Sequence, residues 1–482
     1  MKYIGIRLFR YLTIGSLAIT AIDLHISADA SIDQQGENAV MMDARSVPVS
    51  YDDATALERY DAALLDLHRF SYDPVPAIEG IIADYPDFAQ AHIFRAVCIA
   101  SGSAARYVPE METSISQAEK IGNLNDRERG LIAAVRNRCA GEWRRAQLDV
   151  DTVLVQHPRD SLALHLGHQL DFLLGDALNL RGRIERILPQ WDETVPNYSH
   201  VLGMYAFGLE ECNMFDHAED VGKEACERDP SDTWAHHAVG HVNEMMGRHE
   251  DGIAWYEGRE ANWATGDGLS IHNWWHLCLY LMEVENYPRI LEIYDAYIAP
   301  DDASEPDPLA DSGSLLWRLV IQGVDVGDRW IANGERWRQL VTEGEGGFYG
   351  FNDLHAALSF AALGWDDDLT DLGARAKSQA QQPHTLGIIS RDVAVPVVQA
   401  ITAYHEERFE DALDLLDAVR PIIVARFGGS NAQRDIIDQT MLASAIRGGL
   451  GDRAVSLANE RLSRKPDGPL AGRFAERVRA VA

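Results

Sequence analysis

Pro86, Pro158 and Pro230 stand 72 residues apart, and each closes a polar or acidic stretch just before a histidine-bearing one: "DYPDFAQAHIF", "QHPRDSLALHLGH" and "RDPSDTWAHHAVGH". Proline cannot donate within a helix and clashes with the turn before it, so regularly spaced prolines mark recurring helix boundaries. Between them apolar residues recur at helical spacing, as in "ALERYDAALLDLHRF" and "EDALDLLDAV", and no run alternates in the manner of a half-buried strand. The spacing predicts an all-α chain with two helical hairpins per period.

The tetratricopeptide pattern, a helical hairpin of about 34 residues with small and aromatic residues at set positions, can be laid on this chain. With Pro230 as a closing proline, Ser199 to Asp232 forms one unit with Ala218 and Ala225 at its small positions. The next unit starts at Thr233 and puts Gly240 at the small position of its first helix and Gly252 and Tyr256 in its second. Ala454 and Pro466 repeat the offset near the C-terminus. Gly222 and Asn243 sit where aromatics are expected, so the reading is a degenerate tetratricopeptide-like helical hairpin solenoid whose units bury their faces by stacking. Stretches 300–313 and 341–350 have linker-like composition, which predicts a repeat array over 41–299 and a second over 314–482 packed on it.

Residues 1–40 lie outside that pattern. "MKYIGIRLFR", a following apolar run and Ala28-Asp29-Ala30 resemble a secretory signal, while Met41 or Met42 offers a later start of translation. The second reading goes with a cytoplasmic protein, the first with a secreted or periplasmic one. The apolar run is too short for a membrane span. With 75 acidic against 43 basic residues the net charge is −32, and no Lys/Arg block reverses it locally. Such a charge repels phosphate backbones and anionic lipid, so nucleic acid is not an expected partner. Cys98, Cys139, Cys212, Cys226 and Cys278 form no Cys-x-x-Cys pair, and their odd number argues against a disulfide framework.

"TWAHHAVGHVNEMMG" places Trp234, His237, His241 and Glu244 at the second, fifth, ninth and twelfth positions of a first helix, the positions that line the concave groove of such arrays. His236 is expected to turn towards the packing side. "GLSIHNWWHLCLYLME" carries a second His-x-x-x-His, His272 and His276, with Asn273 between them and Ser270 as a candidate helix cap. Trp274 and Trp275 read as core. Imidazoles one turn apart can share a divalent metal, and two such helices side by side would supply four nitrogens, His237, His241, His272 and His276. The same groups can also serve without metal as acid, base or ligand contacts, or as buried imidazoles bonded to their neighbours. The Glu that would make a His-Glu-x-x-His zinc protease is missing.

"GFYGFNDLHAAL" puts Asn352, Asp353 and His355 at a helix start, where Asn352 or Asp353 can cap. "RFGGSNAQRD" holds a capping box, Ser430 with Gln433, beside Asn431, Arg434 and Asp435, which could bind a carboxylate or polar ligand. Tyr205, His168 and the Arg391-Asp392 pair are further candidates.

From about Tyr51 to Ala471 the chain resembles the tetratricopeptide repeat protein 38 family, through "GMYAFGLEE", "DTWAHHAVGHVNEM", "HNWWHLCLYL", "GVDVGDRW", "FNDLHAAL", "RDVAVPVVQA" and "GGSNAQRD". The resemblance implies a strongly curved or closed array and directs attention to the same residues; it implies no particular activity. The expected function is a pocket inside the solenoid, lined by His, Glu, Asp and Trp, that binds a small polar molecule. In its catalytic form His237 or His241 is the base with Glu244 orienting it, and Asp353 and His355 join the chemistry, hydrolysis or proton transfer. His272 and His276 polarise the substrate or hold metal, and Trp234, Tyr205, Asn273, Asn352, Asn431, Arg434 and Asp435 bind the ligand. The alternative is a scaffold without catalysis that holds a partner peptide in its groove.

Overall fold

The computed structural model describes residues 41–70, 74–264, 269–301 and 305–480, which belong to one compact unit; the signal-like segment 1–40 lies outside the described residues. The helices follow as hairpins: α1 Ala54–Arg69 with α2 Val75–Asp84, α3 Ala89–Ala100 with α4 Val108–Ile121, α5 Asp126–Cys139 with α6 Trp143–Gln156, α7 Ser161–Leu173 with α8 Ala177–Ile187, α9 Tyr198–Glu211 with α10 Phe215–Arg228, and α11 Thr233–Met245 with α12 His249–Glu257. After the short α13 Glu260–Trp263 come α14 Ser270–Glu283, α15 Tyr287–Ile293, α16 Pro306–Ile321, α17 Arg329–Glu343, α18 Gly350–Leu363 and α19 Asp366–Gln379. The chain ends with α20 Thr385–Ile389, α21 Val395–His405, α22 Phe409–Arg426, α23 Asn431–Arg447, α24 Gly451–Arg464 and α25 Pro469–Arg479. Among the described residues the fold is all-α apart from one short antiparallel pair, Met41–Met42 with Pro48–Val49.

The proline period corresponds to two hairpins, α3 to α6 and then α7 to α10. Its local chemistry is a stop followed by a start. Pro158 and Pro230 lie just past α6 and α10, and two residues later Asp160 and Asp232 cap α7 and α11 by accepting from Ala163 N and Ala235 N. At Pro86 the matching position is Phe88, which cannot cap and is buried instead.

First helices such as α7, α9, α11, α14, α16, α18 and α23 are buried on nearly every face, whereas second helices such as α10 and α24 bury one stripe. The array closes on itself. Tyr349 donates to Leu173 O (2.7 Å), Glu345 accepts from Ala105 N and Arg106 N, Glu211 accepts from Asn431 N, and Glu283 accepts from Leu470 N (2.7 Å). The concave side is therefore a filled centre rather than an open groove at these positions.

Two sequence expectations change. Most of the linker-like stretch 300–313 is helical, because Pro306 suits a helix start and α16 runs from it without a break; the second stretch reduces to the turn between α17 and α18. Among the described residues Thr385–His405 is long and apolar enough to cross a membrane, but it is mostly buried in the array. It passes through a π-turn at Ser390–Ala394, which accommodates the missing N–H of Pro396. Among the described residues none of the five cysteines forms a disulfide.

Gly252 shows how tightly the hairpins close. A Cβ there would run into the ring of Tyr280, whose hydroxyl donates to Gly240 O. Gly252→Ala gains about 1 kcal/mol of helix propensity but overpacks a buried ring at about 1–3 kcal/mol. Urea unfolding should show a net destabilisation of about 1–2 kcal/mol; a stabilised variant would contradict this packing.

Candidate functional site

Helices α11 and α14 lie against each other at the centre. On α11, His236 is buried on the packing side away from the cluster, with Nε2 2.9 Å from Pro230 O and its ring against Trp255. His237 and His241 lie on the opposite face, towards His272 and His276 of α14. Ring centroids stand 4.4 Å apart for His237 and His241, 4.4 Å for His241 and His276, 4.7 Å for His272 and His276, and 5.0 Å for His237 and His272. One nitrogen from each of the four lies within 4.8 Å of the others. Trp275 stacks on His272 and donates Nε1 to Ser314 Oγ, which fixes that ring.

Carboxylates stand behind the imidazoles. Asp311 Oδ2 is 2.8 Å from His272 Nδ1, and Glu244 Oε2 is 3.1 Å from His276 Nδ1. A carboxylate accepts there only if Nδ1 carries the proton, which leaves Nε2 of each neutral ring with a lone pair. Those two Nε2 atoms face each other at 3.1 Å. Glu210 Oε2 lies 3.3 Å from His241 Nδ1, outside hydrogen-bond geometry. Glu244 was expected to orient a histidine of its own helix; from the last turn of α11 it reaches across to α14 instead. Burial holds His237 and His276 well below the ordinary imidazole range and lowers His241 to about 4. Burial, with repulsion from Glu244, pushes Glu210 up to about 8.

A second histidine group adjoins the first. His68 of α1, His165 and His168 of α7 and His200 of α9 are all buried, with centroids 5.7 Å apart for His68 and His165 and 6.0 Å for His68 and His200. Trp234 joins the groups, 5.6 Å from His168 and 5.0 Å from His237, and Phe207 touches His168, His237 and His241. His68 Nε2, His165 Nδ1, both nitrogens of His168, His200 Nε2 and both nitrogens of His237 and His241 lack a hydrogen-bond partner among the described residues. Of the second group the sequence singled out only His168; the signal for the rest was a polar ring in an otherwise apolar stripe, as in "LALHLGH".

The remaining candidates divide. Asn273 accepts from Tyr256 inside the core (3.2 Å), with its Nδ2 unpartnered. Asn352 donates to Ser103 Oγ, which also donates to Asp307, and Asn352 Oδ1 is unpartnered. Neither Asn352 nor Asp353 is the cap of α18, which starts after Tyr349; Asp353 accepts from Gly347 N (2.7 Å), and burial pushes its carboxyl up to about 7. His355 bonds Phe351 O of its own helix (2.8 Å). Leu269, not Ser270, is the residue preceding α14. Tyr205 faces away from the centre, donating to Glu185 and lying against His217. Arg391 and Asp392 bond each other at the surface (3.0 Å).

The capping box of Ser430 and Gln433 is formed. The carboxylate that Asn431 N and Arg434 bind is the chain's own Glu211, and Asp435 is bonded to Arg461, so each of the three already has a partner within the chain. All three line a cleft of about 260 Å³, together with Arg420, Arg464 and Lys465 and with Glu244, Asp438 and Glu460.

The pKa shifts give stability an optimum. His165 and His168 are lowered to about 3, and His200, His241 and His355 to about 4, all by burial. Below the ordinary 6.5 the unfolded chain takes up protons that these folded rings refuse, so stability falls as pH drops from there. Glu210 and Asp232, raised to about 8, and Glu211 and Asp353, raised to about 7, keep protons that the unfolded chain releases, so their contribution is lost as pH rises through 7 and 8. Urea midpoints measured with a chelator should peak near neutrality and fall on both sides, towards about pH 5 and towards about pH 8.5; a flat profile would contradict the burial of these groups.

No protein-family model matches the chain. Among solved structures it is similar to a human IFIT1 dimer with m7Gppp-AAAA, over 88% of this chain and 99% of that one, at 13% identity and a TM-score of 0.38. It is also similar to Cut9 and Hcn1 as an APC/C hetero-tetramer, over 87% of this chain and 95% of that one, at 10% identity and a TM-score of 0.33. Likeness at this level says nothing about the site; the tetratricopeptide-like solenoid rests on the hairpins themselves.

Proposed function

We propose that this chain is a ligand-binding helical-repeat protein whose buried histidine-lined centre takes up a small polar molecule. One observation carries the reading: among the described residues nine ring nitrogens on six histidines of the two groups are buried without a hydrogen-bond partner, though His241 Nδ1 and His200 Nε2 each lie within 3.6 Å of a carboxylate. A buried polar group left unmade costs about 1–3 kcal/mol, so nine of them would cost about as much as the entire net stability of a typical domain, about 5–15 kcal/mol. A centre built this way suits an occupant that supplies hydrogen bonds. Neutral imidazoles both donate and accept, and Trp234, Phe207 and Phe70 offer flat apolar walls, which favours a small amide, alcohol or acid over a bare ion in the second group. Membership of the tetratricopeptide repeat protein 38 family is part of this proposal, supported by the central position of "DTWAHHAVGHVNEM" and "HNWWHLCLYL".

The scaffold reading is favoured by a different observation, the cleft beside α22, α23 and α24. In a chain of net charge −32 it gathers Arg420, Arg464 and Lys465 beside Asn431, the residue types that clamp an acidic peptide terminus. Lys465 is 3.8 Å from Glu244, Arg464 is half exposed and paired with Asp438, and Arg420 is paired with Glu460 and Asp438, so an acidic peptide would compete with these internal carboxylates.

Two measurements test these readings. Protein purified natively and then denatured should release a small molecule in near-stoichiometric amount, lost in His168→Leu with the helical signal intact; no released molecule, and no thermal stabilisation by amides, alcohols or acids, would contradict the interior reading. A fluorescent oligo-glutamate peptide should bind at low salt and lose about tenfold in affinity in Arg464→Glu with Lys465→Glu. Unchanged binding in that variant removes the cleft, and equal binding of single-stranded RNA moves the partner class to nucleic acid.

A further inference from the structure

The geometry points to a site for one divalent transition metal ion, held by the imidazoles of His237, His241, His272 and His276 between α11 and α14. This inference rests on the interior reading of the site and gives its first histidine group a ligand of defined chemistry.

The argument starts from the tautomers. Asp311 and Glu244 accept hydrogen bonds from the Nδ1–H groups of His272 and His276, so two Nε2 lone pairs meet at 3.1 Å. Two lone pairs do not attract; a cation between them removes the conflict. Two imidazole nitrogens on one tetrahedral ion, each bonded at about 2.0–2.1 Å, stand about 3.4 Å apart, close to the distance found. The other two rings fit the same centre. With Nδ1 of His241 turned to Glu210 at 3.3 Å, its Nε2 is left for the cluster, and His237 has both nitrogens unpartnered. One nitrogen from each ring already lies within 4.8 Å of the rest, so small side-chain rotations bring all four onto one ion.

The surroundings match a metal better than a shared proton. A carboxylate behind a ligating imidazole fixes the ring and raises its basicity, and here Asp311, Glu244 and Glu210 stand behind three of the four. The carboxylates of Asp311 and Glu244 balance a double positive charge. A proton between His272 and His276 would serve only that pair and leave His237 and His241 without partners. An all-nitrogen set suits zinc, copper, nickel or iron rather than calcium or magnesium. With four imidazoles bound, a tetrahedral ion has no vacant position, so the ion acts first as a clamp joining α11 to α14.

The test uses the full-length protein without a histidine tag, stripped with chelator and reloaded with zinc or cobalt(II). Near-stoichiometric metal is expected, with intense visible cobalt absorption of a tetrahedral nitrogen site and a rise in melting temperature. His241→Gln with His276→Gln should abolish stoichiometric binding. Asp311→Asn, which preserves shape if the double variant fails to fold, should weaken zinc about 10–100-fold. Folded wild type that takes up none of zinc, cobalt, copper, nickel or iron would overturn the inference, as would metal uptake unchanged in all these variants. Metal loss in them while the His168-dependent small molecule is still released supports the ion site separately from the second group.

Discussion

Two imidazoles whose Nδ1 atoms are committed to carboxylates, and whose Nε2 atoms therefore face each other, set the terms for the centre of this protein. His272 and His276 can hold that arrangement only because Asp311 on α16 and Glu244 on α11 fix them from behind. Three helices from separate hairpins thus meet at one polar point. Their approach depends on small residues elsewhere, since Gly240 and Gly252 admit the rings of Tyr256 and Tyr280 that space α11, α12 and α14. The apolar packing of the hairpins and the polar centre are parts of one geometry.

Closure explains how a repeat array can bury so many polar groups. An open solenoid shows its first helices to solvent along the groove, where histidine and glutamate carry little cost. Here the C-terminal hairpins return to the N-terminal ones, with Glu211 bonded to Asn431 and Arg434 and Glu283 bonded to Leu470 N. Residues placed as a groove lining become interior. Their burial lowers the imidazole pKa of His241 and raises the carboxyl pKa of Glu210 together, so both groups favour their neutral forms inside a chain of charge −32.

What the sequence revealed was local. The proline stop and the Asp two residues later made the hairpin boundaries legible, and the i, i+4 spacing of His237 with His241 and of His272 with His276 put each pair on one helical face before any fold was known. The partners were not legible, because they come from distant segments. Nothing near His272 indicates Asp311, and Arg434 gives no sign that its carboxylate is Glu211, more than two hundred residues away. Glu210 and Asp311 are ordinary acids in an acidic chain, and His68, His165 and His200 become a group only once α1, α7 and α9 pack. Where local pattern misled, a competing local rule had won: Asn352 and Asp353 resemble caps, yet α18 starts earlier, right after Tyr349, and Asp353 bonds back to Gly347.

The central claim is that four imidazoles converge on one ion. X-ray absorption at the zinc edge of the loaded protein tests it most directly. The account predicts a single shell of four nitrogen neighbours at about 2.0–2.1 Å with the outer-shell scattering of imidazole rings. A shell of oxygen or sulfur, or fewer than three imidazoles on the ion, would contradict it.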